Sequence, residues 1–351
     1  MERLGAAVLL CGLGIVHCDE VVPHQRPSEP AGRVTDGGGT DADAAQLAPP
    51  FCPDLGACEL DRTGLLVVYT APPEVELLQA ERGRVLAFDA RAKQYVILRV
   101  TPNVLDPKGP VLVEEGERLP VGYDRVRLSR YATLACAGEQ CDFYISLRDG
   151  PLQTGAPQGA RVPFDGCAAG MMVACLEGES LVPFGATLPF VATAADRVSA
   201  DRILVGGPGG RILSLTRDGA SELPSGAGAD IADLSAVSEY DDSWAARTTD
   251  GRLILGNRVG RRTCGFAAKS LRTEQDREVD SARPLQFTSG NAYYQTAFLE
   301  RDRYGNAISC ARVDLPPGIR SIARNQCADA RTVMAIDSKR VYAQPPLCYV
   351  Y

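Results

Sequence analysis

Residues 202–215 read Arg202-Ile203-Leu204-Val205, Gly206-Gly207-Pro208-Gly209, then Gly210-Arg211-Ile212-Leu213-Ser214-Leu215. This is a short apolar run, a glycine-rich turn, a Gly-Arg pair and a second apolar run. Residues 244–255 repeat the plan as Trp244-Ala245-Ala246-Arg247, Thr248-Thr249-Asp250, then Gly251-Arg252-Leu253-Ile254-Leu255, with the second Gly-Arg 41 residues after the first. Apolar runs of strand length on either side of a tight polar turn specify a hairpin, and its return at a fixed interval specifies an array of hairpins.

Working outward, similar turn-plus-strand sites fall at Gly83-Arg84, Asp124-Arg125, Asp165-Gly166, Gly210-Arg211, Gly251-Arg252, Gly305-Asn306 and Lys339-Arg340. Their steps of 41, 41, 45, 41, 54 and 34 residues lie in the range of β-propeller blades. The pattern resembles β-propellers in general and no named family within them. Neither the Gly-His and Trp-Asp marks of WD repeats nor the Ser-x-Asp-x-Gly-x-Thr-Trp box of sialidases occurs. The expected fold is therefore all-β, a single propeller of about seven blades (six to eight) over residues 51–351. Two β-sandwich domains are the alternative.

Breakers support that class. With 35 Gly and 24 Pro in 351 residues, little room is left for long helices. Apolar runs of strand length occur at 65–69, 85–88, 95–98 and 333–336. Two breaker-poor stretches could each hold a short helix. One is Ala229 to Asp250, where Ile231, Leu234 and Val237 recur every third residue, and the other is Phe266 to Arg283.

The first 18 residues read as an export signal, because the apolar run Leu4 to Val16 is too short to span a bilayer. Ile15-Val16-His17-Cys18 resembles a bacterial lipobox, although His17 stands where small residues are usual, and the resemblance implies acylation of Cys18. Residues 19–50 hold five Pro and four Gly and no aromatic residue, so they cannot bury enough apolar surface to order themselves and read as a tether. The acidic run Asp36 to Asp43 lacks the ligand spacing of a calcium loop. The expected location is extracytoplasmic, lipid-anchored to the cell envelope or secreted.

Setting aside Cys11 and Cys18, ten cysteines remain: Cys52, Cys58, Cys136, Cys141, Cys167, Cys175, Cys264, Cys310, Cys327 and Cys348. An even set in an exported chain reads as disulfides. Proximity suggests Cys52 with Cys58, Cys136 with Cys141, Cys167 with Cys175, Cys264 with Cys310, and Cys327 with Cys348. No Cys-x-x-Cys pair is present, which argues against zinc and thioredoxin-type redox chemistry.

Histidine narrows the function classes further. The two histidines are His17 and His24, both before residue 51, so the expected propeller has none. Ser-His-Asp and Cys-His nucleophiles and the usual catalytic zinc shells are thereby excluded. Gly206 to Gly210 lacks the Gly-Lys-Ser/Thr ending of a phosphate loop. Carboxylates alone remain for catalysis, and glycosidases need only two. Glu239-Tyr240-Asp241-Asp242 followed by Trp244 is the best cluster. Asp241, Asp242 and Trp244 form a candidate ligand face, and the competing reading is a solvated loop with Trp244 as the buried anchor of its strand.

Net charge is −7, which disfavours nucleic acid and anionic membrane surfaces as partners. Arg258-Val259-Gly260-Arg261-Arg262 is a local basic run that could form a small basic patch. The sequence thus leads to a non-catalytic binding or scaffolding protein, without cofactor or metal, whose partner is a protein or glycan at the cell envelope. A carboxylate-dependent carbohydrate-active hydrolase and a purely structural envelope protein are the alternatives.

Overall fold

In the computed structural model, residues 52, 58–60, 62, 64–81, 83–101, 112–129, 132–147, 150–236, 243–257, 260–276, 281–287, 291–295, 310–324 and 333–344 are described. The signal, Cys18, the tether, Glu239 to Asp242, Gly305-Asn306, Cys327, Cys348 and the final tyrosines lie outside them. Among the described residues the strands form seven sheets. Two strands precede the first full blade, β1 (Glu59–Leu60) and β2 (Leu66–Thr70).

Each blade then has an inner strand followed by three more in order outward. Blade 1 holds β3 (Val75–Glu81), β4 (Arg84–Asp89), β5 (Gln94–Thr101) and β6 (Leu112–Arg118). Blade 2 holds β7 (Arg125–Leu128), β8 (Ala132–Ala137), β9 (Gln140–Leu147) and β10 (Gly150–Gly155). Blade 3 holds β11 (Val162–Phe164), β12 (Cys167–Ala169), β13 (Val173–Glu177) and β14 (Ser180–Phe184). Blade 4 holds β15 (Ala194–Ser199), β16 (Arg202–Gly206), β17 (Ile212–Thr216) and β18 (Ala220–Leu223). Blade 5 holds β19 (Ile231–Ala236), β20 (Trp244–Thr248), β21 (Arg252–Gly256) and β22 (Arg261–Ala267). Blade 6 holds β23 (Ser270–Asp276), β24 (Ser281–Phe287), β25 (Asn291–Gln295) and β26 (Cys310–Asp314), and blade 7 holds β27 (Ser321–Arg324), β28 (Val333–Ile336) and β29 (Arg340–Ala343).

The inner strands touch one another in sequence from β3 round to β27, and β27 returns to β3, so the ring closes. Closure uses the N-terminal arm. β2 pairs antiparallel with β29 as the outermost strand of blade 7, and β1 adds a parallel fifth strand to blade 6 beside β26. Sheets that stack on both sides bury both faces of their middle strands, which then read as continuous apolar runs rather than alternating ones. β8 and β28 show this, with Ala132 to Cys136 and Val333 to Ile336 buried throughout. The apolar layers accordingly lie between blades. Ile203 and Val205 of β16 pack toward blade 3 with Phe184, Leu188 and Phe190, whereas Leu204 packs toward blade 5 with Trp244 and Ile254.

Polar side chains stitch neighbouring inner strands together. The Gln79 amide donates to the Leu128 carbonyl and accepts from the Leu128 N–H, both at 3.0 Å, joining β3 to β7. Ser321 Oγ accepts from the Ala80 N–H at 3.0 Å, joining β27 to β3. Asp196 Oδ2 accepts from the Ala236 N–H at 2.8 Å and from Ser235 Oγ at 3.2 Å, joining β15 to β19.

Three expectations are corrected. Where they are described, the two stretches given a possible helix are strands: Ala229 to Asp250 contains β19 and β20, and Phe266 to Arg283 contains β23 and the first three residues of β24. In β19 the register slips by one between Ile231 and Asp233, so the bulge turns Ile231 and Leu234 to the same side, a three-residue spacing produced by a strand. Next, the turn anchors are not equivalent positions. Gly83-Arg84 and Asp165-Gly166 follow inner strands, Asp124-Arg125 precedes one, and Gly210-Arg211, Gly251-Arg252 and Lys339-Arg340 lie between the second and third strands of their blades. The two hairpins that open the sequence reading are equivalent, each joining the middle strands of blades 4 and 5. Their turns place Gly209 at φ 64° and Gly251 at φ 88°, a left-handed backbone that glycine adopts without strain.

The third correction concerns the cysteines. Cys136–Cys141 and Cys167–Cys175 are disulfides between residues directly opposite in adjacent strands. Cys52, however, is bonded to Cys264 across 212 residues, which replaces both the Cys52–Cys58 and the Cys264–Cys310 pairings; Cys58 is disulfide-bonded as well. Cys264 lies on β22, at the outer edge of blade 5, so the N-terminal arm touches blades 5, 6 and 7 before it enters blade 1. Nearness in sequence could not reveal a partner reached round the rim. Among the described residues, no helix is long and apolar enough to cross a membrane.

Candidate functional site

Antiparallel order puts two sets of connections at one end of the ring: the turns between second and third strands, and the links from each outer strand to the next inner strand. Where blades 1 and 2 meet at this end, aromatic residues gather in a chain with few of them. Tyr95 of β5 packs edge-on against Phe88 of β4, with centroids 5.1 Å apart, and its hydroxyl donates to the Asp124 carbonyl at 3.2 Å. Tyr123, from the link before β7, stands at 84° to Tyr144 of β9 with centroids 6.3 Å apart.

The two phenols and one acid form a directed chain. Tyr123 Oη lies 2.5 Å from Asp142 Oδ2 and 2.5 Å from Tyr144 Oη. Asp142 can only accept, so Tyr123 donates to it and Tyr144 donates to Tyr123. Burial, then the bond to Asp142, raises the Tyr123 phenol far above its usual range, and burial also raises Tyr144. Both phenols therefore stay protonated at any physiological pH. They serve as hydrogen-bond donors and are unsuited to act as bases or nucleophiles.

Tyr144 itself is buried in the layer between blades 1 and 2, Tyr123 and Asp142 are half-buried, and exposed residues lie next to them. Val121 is 67 % exposed, and Asp124 and Glu139 are exposed as well. Asp124 Oδ2 caps the next turn by accepting from the Gly138 N–H at 2.9 Å. Arg118 is committed to Glu115, at 2.5 Å and 2.8 Å, and to Asp89 at 3.4 Å. Sequence reading missed this site, because its members are spread over Phe88 to Tyr144 and only the blade geometry brings them together.

The residues singled out from sequence fare differently. Trp244 is 2 % exposed and belongs to the layer between blades 4 and 5, which matches the buried-anchor reading and removes it from a ligand face. Asp241 and Asp242 lie outside the described residues, in the connection between β19 and β20. Of the basic run, Arg261 donates to the Pro224 carbonyl at 3.2 Å and holds the link between blades 4 and 5. Asp250 of the second hairpin is held at about 2 by its bond to Arg252 and by Thr248, and is spent on its own turn.

One half-buried acid is unusual. The Asp196 carboxyl, enclosed between β15 and β19, is pushed up to about 7 by burial and then by the Asp165 charge, against the three hydrogen bonds it accepts. Those bonds use it as an inter-blade clasp. Between blades 4 and 5 is a small cavity of about 150 Å³ lined by Arg202, Ser214, Ser221, Ser243 and three aliphatic residues, and Asp196 is not among them. No group of three or more His, Cys, Asp or Glu residues that could hold a metal occurs among the described residues.

No family model matches the chain, and no curated protein matches it. Among solved structures it is similar to the WD40 β-propeller domain of Doa1, with a TM-score of 0.52 and 13 % identity, over 80 % of this chain and 97 % of that one. It is also similar to BBS1N, solved in complex with ARL6DN, with a TM-score of 0.47 and 13 % identity, again over 80 % and 97 %. At such identity the likeness to the Doa1 domain is one of fold, and it agrees with the seven-sheet ring: the protein is a β-propeller.

Proposed function

We propose that the protein is a non-catalytic binding or scaffolding module of the bacterial cell envelope, anchored by acylation of Cys18 and displayed on residues 19–50. The observation that carries this reading is the Tyr123–Asp142–Tyr144 chain beside exposed Val121, on a face built from the links of a closed propeller. Its hydroxyls are fixed in place and stay protonated, which suits recognition. Tyrosine is also among the residues enriched where proteins bind one another. The disulfides of the ring support an oxidising compartment.

The test uses the full chain in its own envelope. A photo-crosslinking residue at position 121 is expected to capture a specific envelope partner, whereas one at Leu66, 58 % exposed on the outer edge of blade 7, captures none. Intact mass should show Cys18 as the acylated N-terminus. Glycan hydrolysis by the purified protein that is abolished by Asp241→Asn or Asp242→Asn would overturn the non-catalytic reading.

A further inference from the structure

We infer that Cys58 is bonded to Cys310, so that the N-terminal arm is a strap fastened covalently to blade 5 and again to blade 6. Cys58 is disulfide-bonded and buried, 7 % exposed, one residue before β1. Its partner follows from backbone register. β1 lies parallel to β26 with Glu59 opposite Ala311 and Leu60 opposite Arg312, so one step back along both chains sets Cys58 against Cys310. The place of Cys310 is fixed from the other side too, where it stands opposite Gln295 of β25.

Spacing and elimination agree. Neighbouring strands run about 4.8 Å apart and paired residues project from the same face, while a disulfide joins Cα atoms roughly 4.4–6.8 Å apart. Cys264 is taken by Cys52, and Cys136, Cys141, Cys167 and Cys175 are paired among themselves. Of the others after the signal, Cys327 and Cys348 lie outside the described residues, and Cys310 is the one that a described strand brings to Cys58. Two residues of pairing hold β1 only weakly, so a covalent link accounts for a parallel fifth strand at the edge of blade 6. Forming the Sγ–Sγ bond passes two electrons and two protons from the two thiols to a disulfide oxidant, which leaves as its dithiol.

For the tether, and resting on the display proposed above, the strap fixes where the chain leaves the ring. Blade 5 stands across the closed ring of seven from the junction of blades 1 and 2. Exposed Val121 is therefore presented on the far side of the ring from the covalent root of the tether.

The experiment blocks free thiols in the oxidised mature chain, digests it with trypsin without reductant, and reads linked peptides by mass. Cys52 and Cys58 share the fragment 34–62, whereas Cys264, Cys310, Cys327 and Cys348 fall in 263–269, 304–312, 325–331 and 341–351. One species joining 34–62, 263–269 and 304–312 is expected. A link from 34–62 to 325–331 or 341–351 in place of 304–312 overturns the bond. Cys58→Ser should leave one new thiol, alkylated in 304–312, and a new thiol in any other fragment overturns the bond equally. If the map fails while crosslinking at position 121 still captures a partner, the binding function stands and only the strap falls.

Discussion

Gly256 stands directly opposite Trp244 across β20 and β21, and the indole occupies the space a side chain at 256 would need: a Cβ there would lie 2.1 Å from Trp244 Cζ2. The ring cannot yield easily, because it is buried between blades 4 and 5 with Leu204, Ile231 and Ile254. Gly256→Ala is therefore expected to destabilise the fold by about 2–3 kcal/mol through overpacking. Trp244 is the sole tryptophan of the chain, so its emission reports the change directly. The native protein should emit at short wavelength and shift to the red on unfolding, with the urea midpoint lower in the alanine variant. An unchanged midpoint would refute the packing argument.

That same hairpin shows how far the sequence carries. Its twin at Arg202 to Leu215 occupies the equivalent place in the preceding blade, so the repeat was real and its interval led to the right number of blades. What failed was phase. Among the described residues, tight turns occur at different places within the blades, after the inner strand at Gly83 and Gly166 and between the second and third strands at Gly209 and Gly251, so Gly-Arg and Asp-Gly signals mark no single place in a blade, and anchors taken from different places average to the correct period. The bulge in β19 imitated helical spacing at Ile231 and Leu234 for a related reason, since one extra residue converts a period of two into a step of three. The Tyr123 site was invisible because nothing local marks it: its acid and two phenols come from separate strands and one link.

The bond from Cys52 to Cys264 should matter more than the hairpin disulfides. It closes 212 residues, and the loop-entropy relation assigns it about 5 kcal/mol, against about 2 kcal/mol for the five-residue separation of Cys136 and Cys141. It also fastens the arm that supplies β2 to blade 7. The Cys52→Ser/Cys264→Ser double variant is expected to lose several kcal/mol in denaturant unfolding and to release the arm to proteolysis first. The Cys136→Ser/Cys141→Ser variant should lose less and keep the arm protected. Equal losses would show that the long bond adds nothing to ring closure.

Gln79 offers a test of the clasps between blades. Its amide makes two hydrogen bonds to one residue, Leu128, where no backbone pairing joins β3 to β7. Gln79→Leu keeps most of the volume and loses both bonds, leaving a backbone N–H and a carbonyl without their partner. A loss of about 2 kcal/mol is expected. Hydrogen exchange should localise it, with the Leu128 amide exchanging faster while amides of blade 4 are unaffected. Uniform acceleration across the ring would instead mean that the blades do not open individually.

Asp196 makes stability depend on pH in a direction opposite to the usual carboxylate. Its folded value of about 7 lies above the ordinary value near 4 of an unfolded aspartate, so between these limits the native state holds a proton that the unfolded state has released. Stability contributed by this group is full below about pH 4, falls as pH rises, and is lost above about pH 7. Asp196→Asn cannot ionise, and its side-chain oxygen still accepts from the Ala236 N–H. The variant gives up the Arg197 N–H bond at Oδ1, but its stability should be flat with pH while that of the wild type falls by up to about 4 kcal/mol between pH 4 and pH 8. Thermal melts of both proteins across that range decide the matter. Parallel curves would mean that the carboxylate is ionised and well solvated where the clasp now places it.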